Sequence, residues 1–376
     1  MNDREGEGAD CSTNRDQEAV EDFLRRPSTL PDIGVDLRCF DTEERAKRVG
    51  EAVNSLLHIF GRLLNLKRLL RVIVAYDYHE TLAAIERGIA TEKPLKATND
   101  ELAVGIAMAP AVLHEDEPRS IMVLNASFMS VLGEAETPEN DAARREMTYT
   151  LAHESAHVHD LEMQTRAFPD AMLKTQLPYR DGILFGIASA CWDEYIACYL
   201  SASFATSATL SAYEETFCKA LEGAKGRSDA AIRQYRMHAD VGRVAGEVSS
   251  EYRRLMVYAA YLLGHVDGLD QAVGDIAPKA IEALERHSFF KTTFSRLHTE
   301  LRTMHATYGE WKGLEIFDPL KQLADELLKY GGIEVQNRPD GKVYVNIPFR
   351  PETTPTADEL QAYCMSRLGI VGKQNR

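Results

Sequence analysis

The chain of 376 residues has no apolar run of membrane-spanning length, and its N-terminus lacks a charged-then-apolar leader. We therefore expect no membrane partner and a cytoplasmic location. Its six scattered cysteines do not form the pattern of a secreted disulfide framework. Positive charge is scarce as well, because 43 Lys and Arg stand against 58 Asp and Glu. The net charge of −15 argues against direct binding to nucleic acid or to an anionic membrane.

The chain is long enough for more than one domain, and 44% of its residues are hydrophobic, which is ample for a core. Residues 1–30 are rich in Asp, Glu, Gly and Ser and have few large apolar residues, so we predict a disordered segment there. We predict a first folded domain over residues 31–208. A mostly helical C-terminal region is predicted over residues 209–376.

The most informative motif is H-E-x-x-H at residues 153–157, inside a segment that is predicted to be helical. A four-residue separation places His153 and His157 on one helix face, where both imidazoles can bind one metal ion. Glu154 lies beside them, placed to hold and deprotonate a metal-bound water. The alternative is a polar surface helix with two histidines spaced by chance. The apolar, glycine-free run at residues 147–152 and the small Ala156 favour a buried metal helix instead.

A catalytic zinc needs a third protein ligand and one open position. A metzincin would have Gly and His where this chain has Asp160 and Met163, so that class is excluded. A gluzincin takes a glutamate from a second helix, and Glu194 with Ala197 gives the pattern E-x-x-A in a strongly helical segment. Glu194 is the preferred third ligand. Asp193, about 100° around the same helix, is the alternative.

Two further features accompany these helices. Cys191 and Cys198 share the helix face of Glu194, and a thiolate from either would close the site into a structural one. We expect instead that both are small buried residues at a helix–helix contact. His159 points about 200° away from the ligand face, so we expect it to lie behind the site or at the surface.

The order of strands and helices before the motif indicates a family more specifically than the motif alone. Residues 104–108 and 121–125 are predicted strands joined by a polar connection at residues 114–118, and a helix then opens with Tyr-Thr-Leu-Ala-His-Glu at residues 149–154. Over about residues 45 to 205 this arrangement resembles the ImmA/IrrE family of metallopeptidases. The resemblance implies a gluzincin-like peptidase, and characterised members cleave or otherwise inactivate a transcriptional repressor. The SprT-like peptidases use a third histidine, but no histidine lies between His159 and His238.

Further elements follow from hydrophobic periodicity. We predict an amphipathic helix from Ala46 to Leu70, a strand from Leu70 to Tyr76 and a short helix from Thr81 to Ile89. One of the predicted strands is expected to form a sheet edge that receives an extended substrate. Helices are predicted from Leu210 to about Tyr330, followed by a hairpin over residues 333–347 with its turn at residues 339–341. The fold class is therefore α+β, a zincin-like domain with a small mixed sheet followed by a mostly helical region.

The predicted function is that of a zinc-dependent endopeptidase acting on intracellular protein or peptide substrates, such as a transcriptional repressor. His153, His157 and Glu194 are the predicted Zn²⁺ ligands, and Glu154 is the predicted general base. The alternative is a non-proteolytic, metal-containing regulator that sequesters a partner. The side chain that stabilises the oxyanion is left open, as is the oligomeric state. Candidates for that side chain are Tyr149, Tyr195, Tyr258 and His265.

Overall fold

The computed structural model describes residues 21–89, 94–97, 104–169, 171 and 173–367. The chain has a mixed α/β fold, about 65% helical, with small sheets. It forms two compact units, residues 1–173 with 204–206, and residues 174–203 with 207–376. The predicted disordered segment falls outside the described residues up to position 20. From there, residues 21–25 are helical, and Thr29 hydrogen-bonds through its hydroxyl to the carbonyl oxygens of Gly61 and Leu64.

The first unit is built on a five-stranded sheet. Strands β1 (Val35–Arg38), β2 (Leu69–Ala75) and β5 (Glu117–Asn125) run parallel in that order. On the other side of β5, the short strands β3 (Ala107–Met108) and β4 (Ala111–His114) pair with it antiparallel. The central strands β2 and β5 are almost continuously buried, as expected of parallel strands that are covered on both faces.

The polar connection predicted at residues 114–118 is wrong, because it is part of a β-hairpin. His114 ends β4 and Glu117 begins β5, and the two residues face each other across the ladder. The two residues between them, Glu115 and Asp116, have φ angles of 50° and 65°. A two-residue hairpin turn of type I′ needs positive φ at both positions, and its usual sequence signal is Asn-Gly or Asp-Gly. Glu-Asp gave no such signal.

Helices of the first unit flank this sheet. Helix α1 (Glu43–Leu63) begins at Thr42, whose side chain accepts a hydrogen bond from the Arg45 amide, and it ends seven residues before the predicted limit. Helix α2 (Tyr78–Ala83) starts three residues earlier than predicted and also ends earlier. After the short helix α3 (Ala126–Met129) comes α4 (Asp141–Ala167), which contains the H-E-x-x-H motif.

The second unit is mostly helical, as predicted, and the predicted hairpin is confirmed. Its two strands pair antiparallel, and Gly341 in the turn has a φ of 76°. The elements of this unit are α5 (Tyr179–Ser201), α6 (Ser207–His238), α7 (Val241–Gly268), α8 (Val273–Ile276), α9 (Pro278–Arg286), α10 (Ser288–Ala306), α11 (Asp318–Gly331), β6 (Glu334–Asn337), β7 (Val343–Asn346) and α12 (Ala357–Arg367).

Helix α5 is unusually apolar. With the turn that follows it, the segment Tyr179–Phe204 is long and apolar enough to cross a membrane by length and composition alone, and 56% of its 18-residue apolar window is buried. The prediction that no apolar run reaches this length is therefore wrong for this segment. A core helix of a folded protein meets the same criterion, so the observation is weak evidence for a membrane span.

Helices α5 and α7 approach each other closely because α7 has two glycines one turn apart. A Cβ atom at Gly264 would overlap the Tyr195 carbonyl oxygen and lie 2.7 Å from the Cβ of Cys198. A Cβ at Gly268 would overlap the Tyr199 carbonyl oxygen in the same way. Only glycine lets the two backbones come this near. The contact fixes α7 against the segment of α5 that follows Glu194.

A buried carboxylate joins three helices of this unit. Asp267 on α7 accepts hydrogen bonds from the Tyr195 hydroxyl at 2.7 Å, from His298 Nε2 at 2.9 Å and from Arg302 Nε at 2.8 Å. Burial alone would raise the pKa of Asp267, but the three donors outweigh it and lower the pKa to about 2. The network therefore holds α5, α7 and α10 together through one ionised group.

We expect Gly264→Ala to lower the free energy of unfolding by about 1–3 kcal/mol, because the added methyl overlaps the α5 backbone. Gly246→Ala is the matched control on the same helix, since a Cβ there meets nothing within 4 Å. That control should be neutral or stabilising by up to about 1 kcal/mol. Urea unfolding of both variants measures the difference, and equal stabilities would contradict the close contact.

Asp267→Asn tests the buried carboxylate. Because the folded-state pKa lies below the ordinary 3.8, the ionised group stabilises the fold above about pH 4, and this contribution disappears as pH falls toward 2. We expect the variant to lose roughly 1–2 kcal/mol at pH 7, allowing for screening at the exposed Arg302. The difference in free energy of unfolding between the wild type and Asp267→Asn should disappear between pH 4 and pH 2, as measured by unfolding curves. Asp275→Asn, at an exposed position, should show neither effect.

Candidate metal centre

The two histidines of the motif face each other on α4. Nε2 of His153 and Nε2 of His157 are 3.1 Å apart, and the rings are perpendicular with centroids 4.7 Å apart. Two nitrogens bound to one tetrahedral zinc at 2.0–2.1 Å would be about 3.3 Å apart. The His153 side chain is buried and that of His157 is half-buried. The observed spacing thus fits a shared ion as well as it fits an N–H···N hydrogen bond.

Glu194 completes the group. Three potential ligand atoms lie within 4.8 Å of one another, one each from His153, His157 and Glu194. The three side chains could therefore hold a metal ion. Two imidazole nitrogens and one carboxylate oxygen form a donor set that suits zinc and other first-row divalent ions. A fourth position would remain for water or substrate in tetrahedral coordination.

The other candidates from the sequence lie outside this group among the described residues. Asp193, next to Glu194, does not belong to it. The Cys191 thiol donates to the Met256 carbonyl oxygen at 3.5 Å, and burial raises its pKa, so it is a protonated, buried contact residue. Cys198 is also fully buried. Both cysteines thus match the expectation that they lie at a helix–helix contact.

His159 anchors the motif helix from its back. Its Nδ1 accepts a hydrogen bond of 2.8 Å from the backbone amide of Asn65, in the turn between α1 and β2. Burial lowers the pKa of His159 to about 4, which keeps the ring neutral and able to accept. Three residues after Asn65, Arg68 forms an ion pair of 2.7 Å with Glu162, and both side chains are largely buried. These contacts fix the rotation of α4, and hence the direction of its histidines.

Glu154 is buried, with 7% of its surface exposed, and lies near Tyr78 of α2. Burial and, second, the negative charge of Glu154 raise the pKa of Tyr78. The Tyr78 hydroxyl is buried and makes no hydrogen bond within the described part of the chain. A buried carboxylate beside the two histidines is the arrangement that a general base at a metal site requires.

The four candidates for oxyanion stabilisation have distinct surroundings. The Tyr149 ring lies 6.0 Å from the His153 ring, and Tyr149 is buried. The Tyr195 hydroxyl donates to Asp267, and Nδ1 of His265 lies 2.7 Å from the Tyr261 carbonyl oxygen. Tyr258 packs its ring 6.1 Å from that of Tyr261. Tyr149 thus lies beside a ring of the metal group.

Sequence reasoning missed Tyr261. Its hydroxyl donates a hydrogen bond to the Glu194 carboxylate, and both residues belong to the second unit. The available signal was helical spacing, since Tyr261 lies between the two candidates Tyr258 and His265 on α7. Nothing in the sequence indicated that α7 packs against α5, so the contact between Tyr261 and Glu194 could not be predicted from the pattern alone.

Comparison of the chain with protein-family models, with curated proteins and with solved structures gives no match in any of the three. The resemblance to the ImmA/IrrE family therefore stays a prediction that rests on residues 45 to 205.

Proposed function

We propose that this chain is a zinc-dependent endopeptidase with a zincin-like site of the ImmA/IrrE kind, acting on intracellular protein substrates. His153, His157 and Glu194 hold the zinc, and Glu154 is the general base. The observation that carries the proposal is the group of three ligand atoms within 4.8 Å, next to the buried carboxylate of Glu154. A metal site that only stabilised the fold would not require that carboxylate.

The residues divide the chemistry among them. Zinc, when bound, polarises the scissile carbonyl and lowers the pKa of water toward neutrality. The Glu154 carboxylate takes the proton of the attacking water and returns it to the departing amine. Burial of Glu154 excludes bulk water, which favours transfer of that proton to the leaving group over its loss to solvent.

Strand β3 is the candidate edge for substrate. Among the described residues it pairs on one side only, with β5, and it packs against the motif helix α4. An extended peptide that adds to this free edge would run alongside that helix. The acidic chain, with a net charge of −15, would attract a basic substrate such as a DNA-binding repressor.

The deciding experiment separates the enzyme from a regulator that only sequesters a partner. Purified protein is analysed for zinc and incubated with cell lysate with and without a chelator, and new protein termini are identified. One zinc per chain and chelator-sensitive termini are expected. Zinc without new termini would favour the sequestering regulator, and absence of zinc would refute both.

Glu154→Gln separates the base from the ligands. We expect activity to fall by about 10²–10⁴-fold, because the amide cannot accept the proton, while zinc content stays at the wild-type level. The control is Glu146→Gln, an exposed position two turns earlier on α4. It should leave both activity and zinc unchanged. Loss of zinc in Glu154→Gln would show that Glu154 is a ligand and not the base.

Glu194→Gln and Asp193→Asn form a matched pair that tests the third ligand. We expect the first to weaken zinc affinity by more than about 100-fold, beyond the effect typical of residues that only support a ligand. The second should change it by a few-fold at most, because Asp193 lies outside the group among the described residues. Chelator competition measures both, and the reverse result would assign the ligand to Asp193.

A further inference from the structure

We propose that Tyr261 is a positioning residue for the third metal ligand: its hydroxyl holds the Glu194 carboxylate in the orientation that metal binding requires. The inference rests on the proposed function, because it assumes that Glu194 is a ligand. It adds a residue from a different helix, 67 positions further along the chain, to the machinery of the site.

The first observation is the hydrogen bond itself. The Tyr261 hydroxyl is the donor and the Glu194 carboxylate is the acceptor. A carboxylate ligand that is held by one hydrogen bond through one oxygen keeps the other oxygen available to a metal. Hydrogen bonds of this kind fix the rotamer of the ligand before the ion arrives, and their removal typically costs 10–100-fold in metal affinity.

The second observation is that Tyr261 is itself held in place. Its ring stacks on that of Tyr213 from α6, with centroids 4.6 Å apart and an angle of 13° between the planes. The backbone carbonyl of Tyr261 lies 2.7 Å from Nδ1 of the fully buried His265, whose ring also lies 5.3 Å from that of Tyr213. A donor held by a stacked ring and a fixed backbone loses little entropy when it binds its acceptor.

The third observation is the glycine contact between the helices. Gly264 lies one turn after Tyr261 on α7 and abuts the backbone oxygen of Tyr195, the residue after Glu194. The close approach at this glycine therefore lies next to the hydrogen bond in both helices. Glycine at this position is what lets a tyrosine hydroxyl on α7 reach a carboxylate on α5.

The test uses the full chain and Zn²⁺ with a competing chelator. We expect Tyr261→Phe, which keeps the ring and its stacking, to weaken zinc affinity 10–100-fold. Tyr252→Phe is the matched control, a buried tyrosine on the same helix, and should stay within twofold of wild type. Circular dichroism of the apo protein checks the fold. Tyr261→Met fills the same space without a donor and serves as a second variant.

A double-mutant cycle distinguishes positioning from a general structural effect. In the Glu194→Gln background, Tyr261→Phe should cause no further loss of the remaining zinc affinity. The same loss in both backgrounds, or an affinity of Tyr261→Phe within twofold of wild type, would overturn the inference while leaving the proposed function intact. Absence of zinc from the wild type, or wild-type affinity in Glu194→Gln, would instead refute the ligand assignment on which both proposals rest.

Discussion

The close packing of α5 against α7 is the contact on which the position of Glu194 depends. Helix α5 is apolar around most of its circumference, so burial alone would allow it several rotations. Gly264 and Gly268 remove that freedom, because only one register brings the two backbones together at both glycines. The positions of Glu194, of its hydrogen-bond donor Tyr261 and of the anchored Tyr195 all follow from that register.

Several buried polar groups of this protein are paired across helices. Asp267 remains ionised in a buried setting because donors on α5 and α10 compensate for its lost hydration. Its contribution to stability is modest, but it discriminates between rotations of α5, since a rotation would leave a buried charge without its Tyr195 donor. On α4, His159 and Glu162 fix the rotation of the motif helix in the same way.

Much of the site was predictable because its signals are local. The spacing of His153 and His157 on one helix, and the E-x-x-A pattern at Glu194, follow from helical geometry, and these three residues form the group found in the structure. The two-residue turn at Glu115 and Asp116 was missed, since neither residue signals positive φ. Strand β1 was missed as well, because Val-Asp-Leu-Arg alternates apolar and charged residues over only four positions, the shortest run in which alternation indicates a strand. The contact of Tyr261 with Glu194 depends on how α7 packs against α5, and local sequence patterns do not reveal that packing.

The Asp267 network also bears on how small a working version of this protein can be. The fragment 31–208 contains both histidines, the proposed general base Glu154 and Glu194. It lacks Tyr261 and Asp267 on α7, and the side chains of His298 and Arg302 on α10 that hold Asp267. If Glu194 is a ligand as proposed, such a fragment would retain all three ligands and lose the contacts that orient one of them. On the proposed assignment, the C-terminal half of the chain is the scaffold for the third ligand, and its removal would leave a two-histidine site with a loosely directed carboxylate.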